Sequence, residues 1–163
     1  MSKTIRHDMR YDASVEAVAT MLADPAFREE VCTFQGVTKV DVTIAEGTGG
    51  PGTSEVRIDQ WQPSDRIPAF AKKIVGAEIN IVQTESWSSP THGDITVTIP
   101  GKPGAMTGTA SLAAIPEGTM ETVELTVKVG IPLLGGKLED LIAGMLLKAL
   151  RAEHKVGCDY LSR

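Results

Sequence analysis

The sequence predicts an α+β fold: a curved antiparallel sheet of about seven strands wrapped around one long C-terminal helix. Three observations lead there. Alternating apolar and polar residues recur in short segments along most of the chain. Two short helical patterns, interrupted by a proline, sit near the N-terminus. A single long helix with a broad apolar stripe closes the chain. The predicted order is one strand, two helices, six strands and one helix.

Lys3 to Tyr11 alternates, with Ile5, His7, Met9 and Tyr11 on one face and charged or hydroxyl side chains on the other. That period of two reads as a half-buried strand. Ser14 is placed as an N-cap, with Glu16 in the first turn where a helix dipole favours a carboxylate. Val15, Val18, Ala19 and Leu22 follow at helical spacing. Asp24-Pro25 restarts the pattern, because Asp caps and Pro fits the first helical position. Phe27 and Val31 give the second helix its apolar side.

Thr38, Val40, Val42 and Ile44 share a face of the next strand. The glycine-rich run 47–52 resembles a phosphate loop only superficially. Such a loop precedes a helix, whereas Glu55 to Gln60 is another alternating strand, so the nucleotide reading is rejected. Residues 67–75 carry Ile67, Phe70, Ile74 and Val75 at roughly helical spacing between Pro68 and Gly76, and read as a short helix or lid. Strands follow at Ile79–Ser88, around Ile95–Ile99, from Met106 to Ala114, and from Thr122 to Val129. Tight turns at His92-Gly93, at 100–104 and at 116–118 join them as hairpins. The last helix is predicted over about 136–161. Its inner stripe is Leu138, Leu141, Ile142, Met145, Ala149, Ala152 and Val156, with Glu139, Asp140, Lys148, Arg151 and Lys155 outside. Leu146, Leu147 and Leu150 widen the apolar sector, so the middle of this helix is expected to be covered on much of its circumference.

No linker or internal repeat divides the 163 residues, so 1–163 is read as one domain. Aromatic residues make up only 4%, which leaves Val, Ile, Leu, Ala and Met to build the core. The net charge is −5 and the basic residues are scattered, the reverse of a nucleic-acid footprint. The N-terminus lacks an apolar leader and no segment has the length of a membrane span, so a cytoplasmic chain is expected. In that reducing compartment Cys32 and Cys158 are expected as two free buried thiols. Neither cysteine sits in a metal or redox spacing, and His7, His92 and His154 are not paired, so no metal or cofactor is expected.

Two stretches carry a resemblance. Val129-Gly130-Ile131-Pro132-Leu133-Leu134-Gly135-Gly136-Lys137-Leu138-Glu139 is similar to the lead-in to the last helix in a bacterial subgroup, a domain of unknown function, of the START-like (helix-grip) superfamily. Tyr11-Asp12-Ala13-Ser14-Val15-Glu16-Ala17-Val18 is similar to the same group's passage from first strand to first helix. The superfamily includes polyketide cyclase-like, pollen-allergen-like and lipid-transfer domains. The resemblance implies a helix-grip fold and an apolar or amphipathic ligand between sheet and helix. Some members catalyse cyclisation or dehydration and many only carry or sense. The motifs are structural, so no catalytic residue transfers.

Parity adds to this. If Val123, Leu125, Val127 and Val129 point inward, the matching sets on the other strands do too. The inner face then holds His7, Gln60, Gln83 and Glu85, polar groups that cost about 1–3 kcal/mol each when buried without partners. Gly108 and Ala110 on the sheet, and Ala149 on the helix, are small and leave room. Trp87, Met106, Leu141 and Met145, with Met9 beside them, supply apolar contact. Apolar walls, spare volume and a few polar groups describe a small-molecule cavity.

Three functions are compatible. The first is binding or carriage of a lipid-, polyketide- or isoprenoid-like molecule by a monomer or weak homodimer. The second is a cyclase- or dehydratase-type enzyme in which Glu85 and His7 move protons. The third is an interaction module docking through Trp61, Ile67 and Phe70. The carrier leads, because cavity features are present and an activated nucleophile is not.

Overall fold

The computed structural model describes residues 1–163. Its elements are β1 (Lys3–Tyr11), α1 (Val15–Leu22), α2 (Pro25–Phe34), β2 (Lys39–Glu46), β3 (Ser54–Pro63), α3 (Ala69–Val75), β4 (Glu78–Ser89), β5 (His92–Thr98), β6 (Ala105–Ile115), β7 (Gly118–Lys128) and α4 (Gly135–Leu161). The seven strands form one antiparallel sheet in the order β1-β7-β6-β5-β4-β3-β2. From β2 to β7 every neighbour in space is a neighbour in sequence. Only β1 crosses, to pair with β7 from Lys3↔Val127 to Tyr11↔Thr119. This is the helix-grip architecture.

The turn between β1 and the sheet's far edge is built by local chemistry. Ser14 Oγ accepts from the Ala17 amide at 3.1 Å and starts α1. Asp24 Oδ1 accepts from the Ala26 amide at 3.0 Å, with Pro25 opening α2. The two helices lead from β1 at one edge to β2 at the other. The α2 helix packs against both β2 and α4.

The concave face carries the core. Val123, Leu125 and Val127 are buried there, opposite Leu138, Ala143, Ala152 and Val156 of α4. The C-terminal half of α4 sits tightly. Gly157 lies against Tyr11, where an added Cβ would come within 2.8 Å of the ring. Tyr160 Oη donates to Asp24 Oδ2 at 2.6 Å and its ring meets Phe27 edge-on. The middle of α4 is different: Leu141, Ile142, Met145, Leu146, Leu147, Ala149 and Leu150 are only half-buried, despite their apolar sector. The sheet falls away from them.

Three expectations are corrected. Glu139 is buried, not outside, because the β7–α4 loop folds over the first turn and the Val129 amide donates to Glu139 Oε2 at 2.9 Å. Cys158 is exposed; only Cys32 is buried, and both are free. Gly108 does not contribute spare volume. A Cβ there would lie 1.8 Å from the Glu124 carbonyl oxygen, so its missing side chain is filled by the backbone of β7. Gly108→Ala is therefore expected to destabilise the protein by about 1–3 kcal/mol through overpacking. A urea midpoint unchanged by the substitution would show that the two strands do not approach so closely.

The 62–78 segment contains the helix expected there. The Ser64 amide donates to the Ala77 carbonyl at 3.1 Å, closing the segment at its base and holding α3 over the sheet. No helix is both long and apolar enough to cross a membrane.

Candidate functional site

The half-buried middle of α4 and the sheet opposite it enclose a cavity of about 550 Å³. Its sheet wall includes Ile58, Ile79, Ile81, Val97, Ile99 and Met106; α4 contributes Leu141, Ile142, Met145, Leu146 and Ala149. Val31 of α2 and Ala71 and Ile74 of α3 complete the apolar lining. Twenty-three of the 36 lining residues are hydrophobic, so a bound molecule meets mainly hydrocarbon. Three amides interrupt it on the sheet side: Gln60, Gln62 and Gln83. Gln62 Nε2 donates to Gln60 Oε1 at 3.0 Å.

A polar floor closes one end. Arg28 and Glu153 line both the large cavity and a smaller void of about 50 Å³ behind it, together with Gln83 and Ala149. Glu85, Trp87, Ala110 and Glu121 line the smaller void alone. Arg28 and Glu85 form a bidentate pair, Nη1 to Oε2 at 2.9 Å and Nη2 to Oε1 at 2.8 Å. Their side chains are 5% and 3% exposed, so the pair is removed from water. Arg28 Nε donates to the Leu22 carbonyl at 2.8 Å, which anchors the guanidinium to the end of α1. Glu85 also accepts from Trp87 Nε1 at 2.8 Å and from Gln83 Nε2. Trp87 reaches this position because its cross-strand partner is Gly93, where a Cβ would lie 2.6 Å from the indole.

Charge follows from these contacts. Burial by itself raises the Glu85 carboxyl, but Arg28 and the three side-chain hydrogen bonds outweigh it and hold the group below the usual carboxylate range. Arg28 answers in kind: burial disfavours its charge, and Glu85 and Glu153 more than restore it. Two further carboxyls face the same guanidinium. Glu153 Oε1 lies 4.0 Å from Arg28 Nη1 and Glu121 Oε1 has no hydrogen-bond partner. One cation already neutralised by Glu85 cannot hold both as anions. Burial pushes Glu153 up to about 7, against the pull of Arg28 and with the push of Glu85. Burial, and then the charge on Glu153, raises Glu121 well above the ordinary glutamate range.

The residues expected in the cavity divide in three. Gln60, Met106, Leu141 and Met145 line the large space, Gln83 and Ala149 line both, and Glu85, Trp87 and Ala110 line the small one. His7, Met9 and Gly108 line neither. Met9 is fully buried in solid core, and Gly108 is closed off by β7. His7 does take the inner parity of β1, but it is half-buried beside α4. Burial first, then the nearby Arg151 and His154, lower its pKa. β1 lies four strand steps from β4, so His7 and Glu85 are not brought together. Glu85 also has donors on both oxygens, so it stands as a paired anion and not as a proton donor.

The expected docking patch is divided as well. Trp61 is 37% exposed, Ile67 lines the cavity, and Phe70 is half-buried under the Lys137 ammonium at 5.7 Å from its ring centre. No group of three or more His, Cys, Asp or Glu side chains is arranged to hold a metal ion.

Arg28, Glu121 and Glu153 were not anticipated from the sequence. Glu121 had a signal, since it shares parity with Val123 on β7. Glu153 had one too, four residues after Ala149 and three before Val156 on the inner stripe. Arg28 had none beyond its position next to Phe27.

Comparison with known proteins agrees with this architecture. A family model described as "Protein of unknown function (DUF2505)" matches residues 6–161. The uncharacterized protein Rv0481c of Mycobacterium tuberculosis (strain ATCC 25618 / H37Rv) is 32% identical over 130 residues, 72% of this chain and 75% of that one. Among solved structures, TTHA0849 from Thermus thermophilus superimposes with a TM-score of 0.65 at 18% identity, over 98% of this chain and 97% of that one. The di-domain ARO/CYC BexL from the BE-7585A biosynthetic pathway superimposes with a TM-score of 0.69 at 17% identity, over 99% of this chain and 50% of that one. At such identities the structural likeness speaks to fold alone.

Proposed function

We propose that this chain, which belongs to the DUF2505 family, binds and carries one small hydrophobic or amphipathic molecule between its sheet and α4. The observation that carries the reading is the 550 Å³ cavity, apolar on most of its walls and polar at a few defined points. Its volume lies within the range of sites that enclose small ligands. The amides of Gln60, Gln62 and Gln83 supply directional contacts, and Met106 and Met145 adapt to ligand shape. Proteins of this fold include those described as aromatase/cyclases, which supports a cavity of this kind without assigning chemistry. Carriage is preferred to catalysis because the Glu85–His7 pair that an acid–base reading needs is not assembled. The protein is proposed to work in the cytoplasm as a monomer or weak homodimer, with lipid-, polyketide- or isoprenoid-like molecules as the ligand class.

Native mass spectrometry of gently purified protein, with thermal shifts across a panel of apolar metabolites, tests this reading. One ligand per monomer is the expected stoichiometry. Ala149→Trp places an indole inside the cavity from the α4 side. The variant is expected to melt near the wild-type temperature and to lose at least about tenfold in affinity, the equivalent of 1.4 kcal/mol. Retention of full affinity in Ala149→Trp, or a wild-type protein that binds nothing in the panel, would end the carrier reading.

A further inference from the structure

We propose that the ligand is an amphipathic anion, its apolar body inside the cavity and its acidic head held at the mouth by four unpaired cations. The inference rests on the carrier reading and deepens it.

Residues that both line the cavity and stand exposed mark where it opens. Four of them are charged, Arg66, Lys102, Lys148 and Arg151, and all four are basic. The chain as a whole has 21 acidic and 16 basic residues, so an all-positive mouth runs against its composition. Seven of the twelve other cations, Lys3, Arg6, Arg10, Arg28, Arg57, Lys155 and Arg163, have a carboxylate within 4.0 Å. None of the four at the mouth appears in an ion pair. The four come from separate places, the segment before α3, the β5–β6 turn and two turns of α4, and all line the same cavity. Lys72 and Lys73 of α3, exposed and equally unpaired, add to the same field. A low-dielectric concavity concentrates such a field and raises the local concentration of anions.

The polar floor sets the orientation. Arg28 is already saturated by Glu85, and Glu153 and Glu121 lie beside it. An acidic head inserted first would meet three carboxyls and no free cation. Among the exposed residues that line the cavity, an acidic head finds these four cations and no carboxylate. The apolar walls accept the hydrocarbon body.

Titration calorimetry with decanoate, decan-1-ol and decyltrimethylammonium, three probes with one tail, separates charge from cavity. Decanoate is expected to bind about tenfold more tightly than decan-1-ol in about 20 mM salt, and the cationic probe most weakly. Raising salt to about 0.5 M is expected to remove most of that preference. Lys148→Gln/Arg151→Gln is expected to do the same at low salt, with an unchanged melting temperature because neither side chain has an ionic partner to lose. Equal binding of decanoate and decan-1-ol, unaffected by salt and by the double variant, overturns the anion assignment and leaves the carrier reading intact. Failure of all three probes to bind overturns both.

Discussion

Arg28→Met is expected to destabilise the protein by about 3–5 kcal/mol at neutral pH, the largest loss of any single substitution considered. The cause is not the value of the ion pair itself. Bringing a guanidinium and a carboxylate out of water costs nearly as much as their attraction returns. Removing Arg28 alone leaves Glu85 in place, buried and charged, with only Trp87 and Gln83 still donating to it. Two consequences separate this account from simple loss of packing. Pairing Arg28→Met with Glu85→Gln removes both charges and is expected to restore at least half of the loss, in a double-mutant cycle read from urea midpoints. The pH dependence is also signed. Glu85 is held below its ordinary range in the folded protein, so its contribution is present above the unfolded pKa and lost as pH falls through the folded one. Without Arg28 that relation reverses for this one group: burial raises the carboxyl, so protonation of Glu85 is expected to return stability to Arg28→Met as pH falls toward about 4.5, whereas in wild type Glu85 gives up its contribution only below that. Equal losses in the single and double variants would show that Arg28 matters through its volume and not its charge.

The same cluster shows what a sequence can and cannot reveal. Lys3–Tyr11 and the inner row Val123, Leu125 and Val127 were legible because alternation is a local property of a strand one residue wide. Ser14 and Asp24 were legible as caps because a cap is satisfied within three residues. The cavity was legible in outline from polar Gln60 and Gln83 on an otherwise apolar inner face, whereas the breadth that Leu146, Leu147 and Leu150 give α4 was read as cover around its middle, which is only half-buried. Parity, however, reports a face and says nothing of position across the sheet. His7 has the inward parity and still lies four strands from Glu85. Arg28 is hidden for a related reason. It precedes Glu29 and Glu30 in a charged stretch that reads as solvated, and its partner is 57 residues away. Gly108 misled because a missing side chain suggests empty space, whereas here the neighbouring backbone occupies it. Glu121 and Glu153 were visible by spacing, but an ionisable residue on an inner stripe is ordinarily read as an interruption of it.

Those two glutamates carry the second large effect, and its sign is opposite to that of Glu85. Glu121 projects from β7 and Glu153 from α4, and they face Arg28 from α2, Glu85 from β4 and Tyr11 from β1. With Arg28 and Glu85 cancelling, the floor of the cavity is neutral only while both added carboxyls keep their protons. Glu153 is pushed up to about 7 and Glu121 lies well above its ordinary value, so the folded state holds protons that the unfolded chain releases from about pH 4.5 upward. The folded state then binds more protons than the unfolded one, and stability falls as pH rises. For Glu153 the fall runs through about pH 7, and for Glu121 it continues beyond. A shift of the size seen for Glu153 corresponds to roughly 3 kcal/mol between pH 4.5 and pH 8. Wild type is accordingly expected to be more stable at pH 5 than at pH 8. Glu153→Gln and Glu121→Gln, neutral at every pH, are each expected to flatten that dependence and to raise stability at pH 8 while changing little at pH 5. Urea midpoints of the three proteins at the two pH values decide it. A wild type as stable at pH 8 as at pH 5, with no gain from either amide, would mean that the floor tolerates its full negative charge and that the cluster's protons are not held by burial.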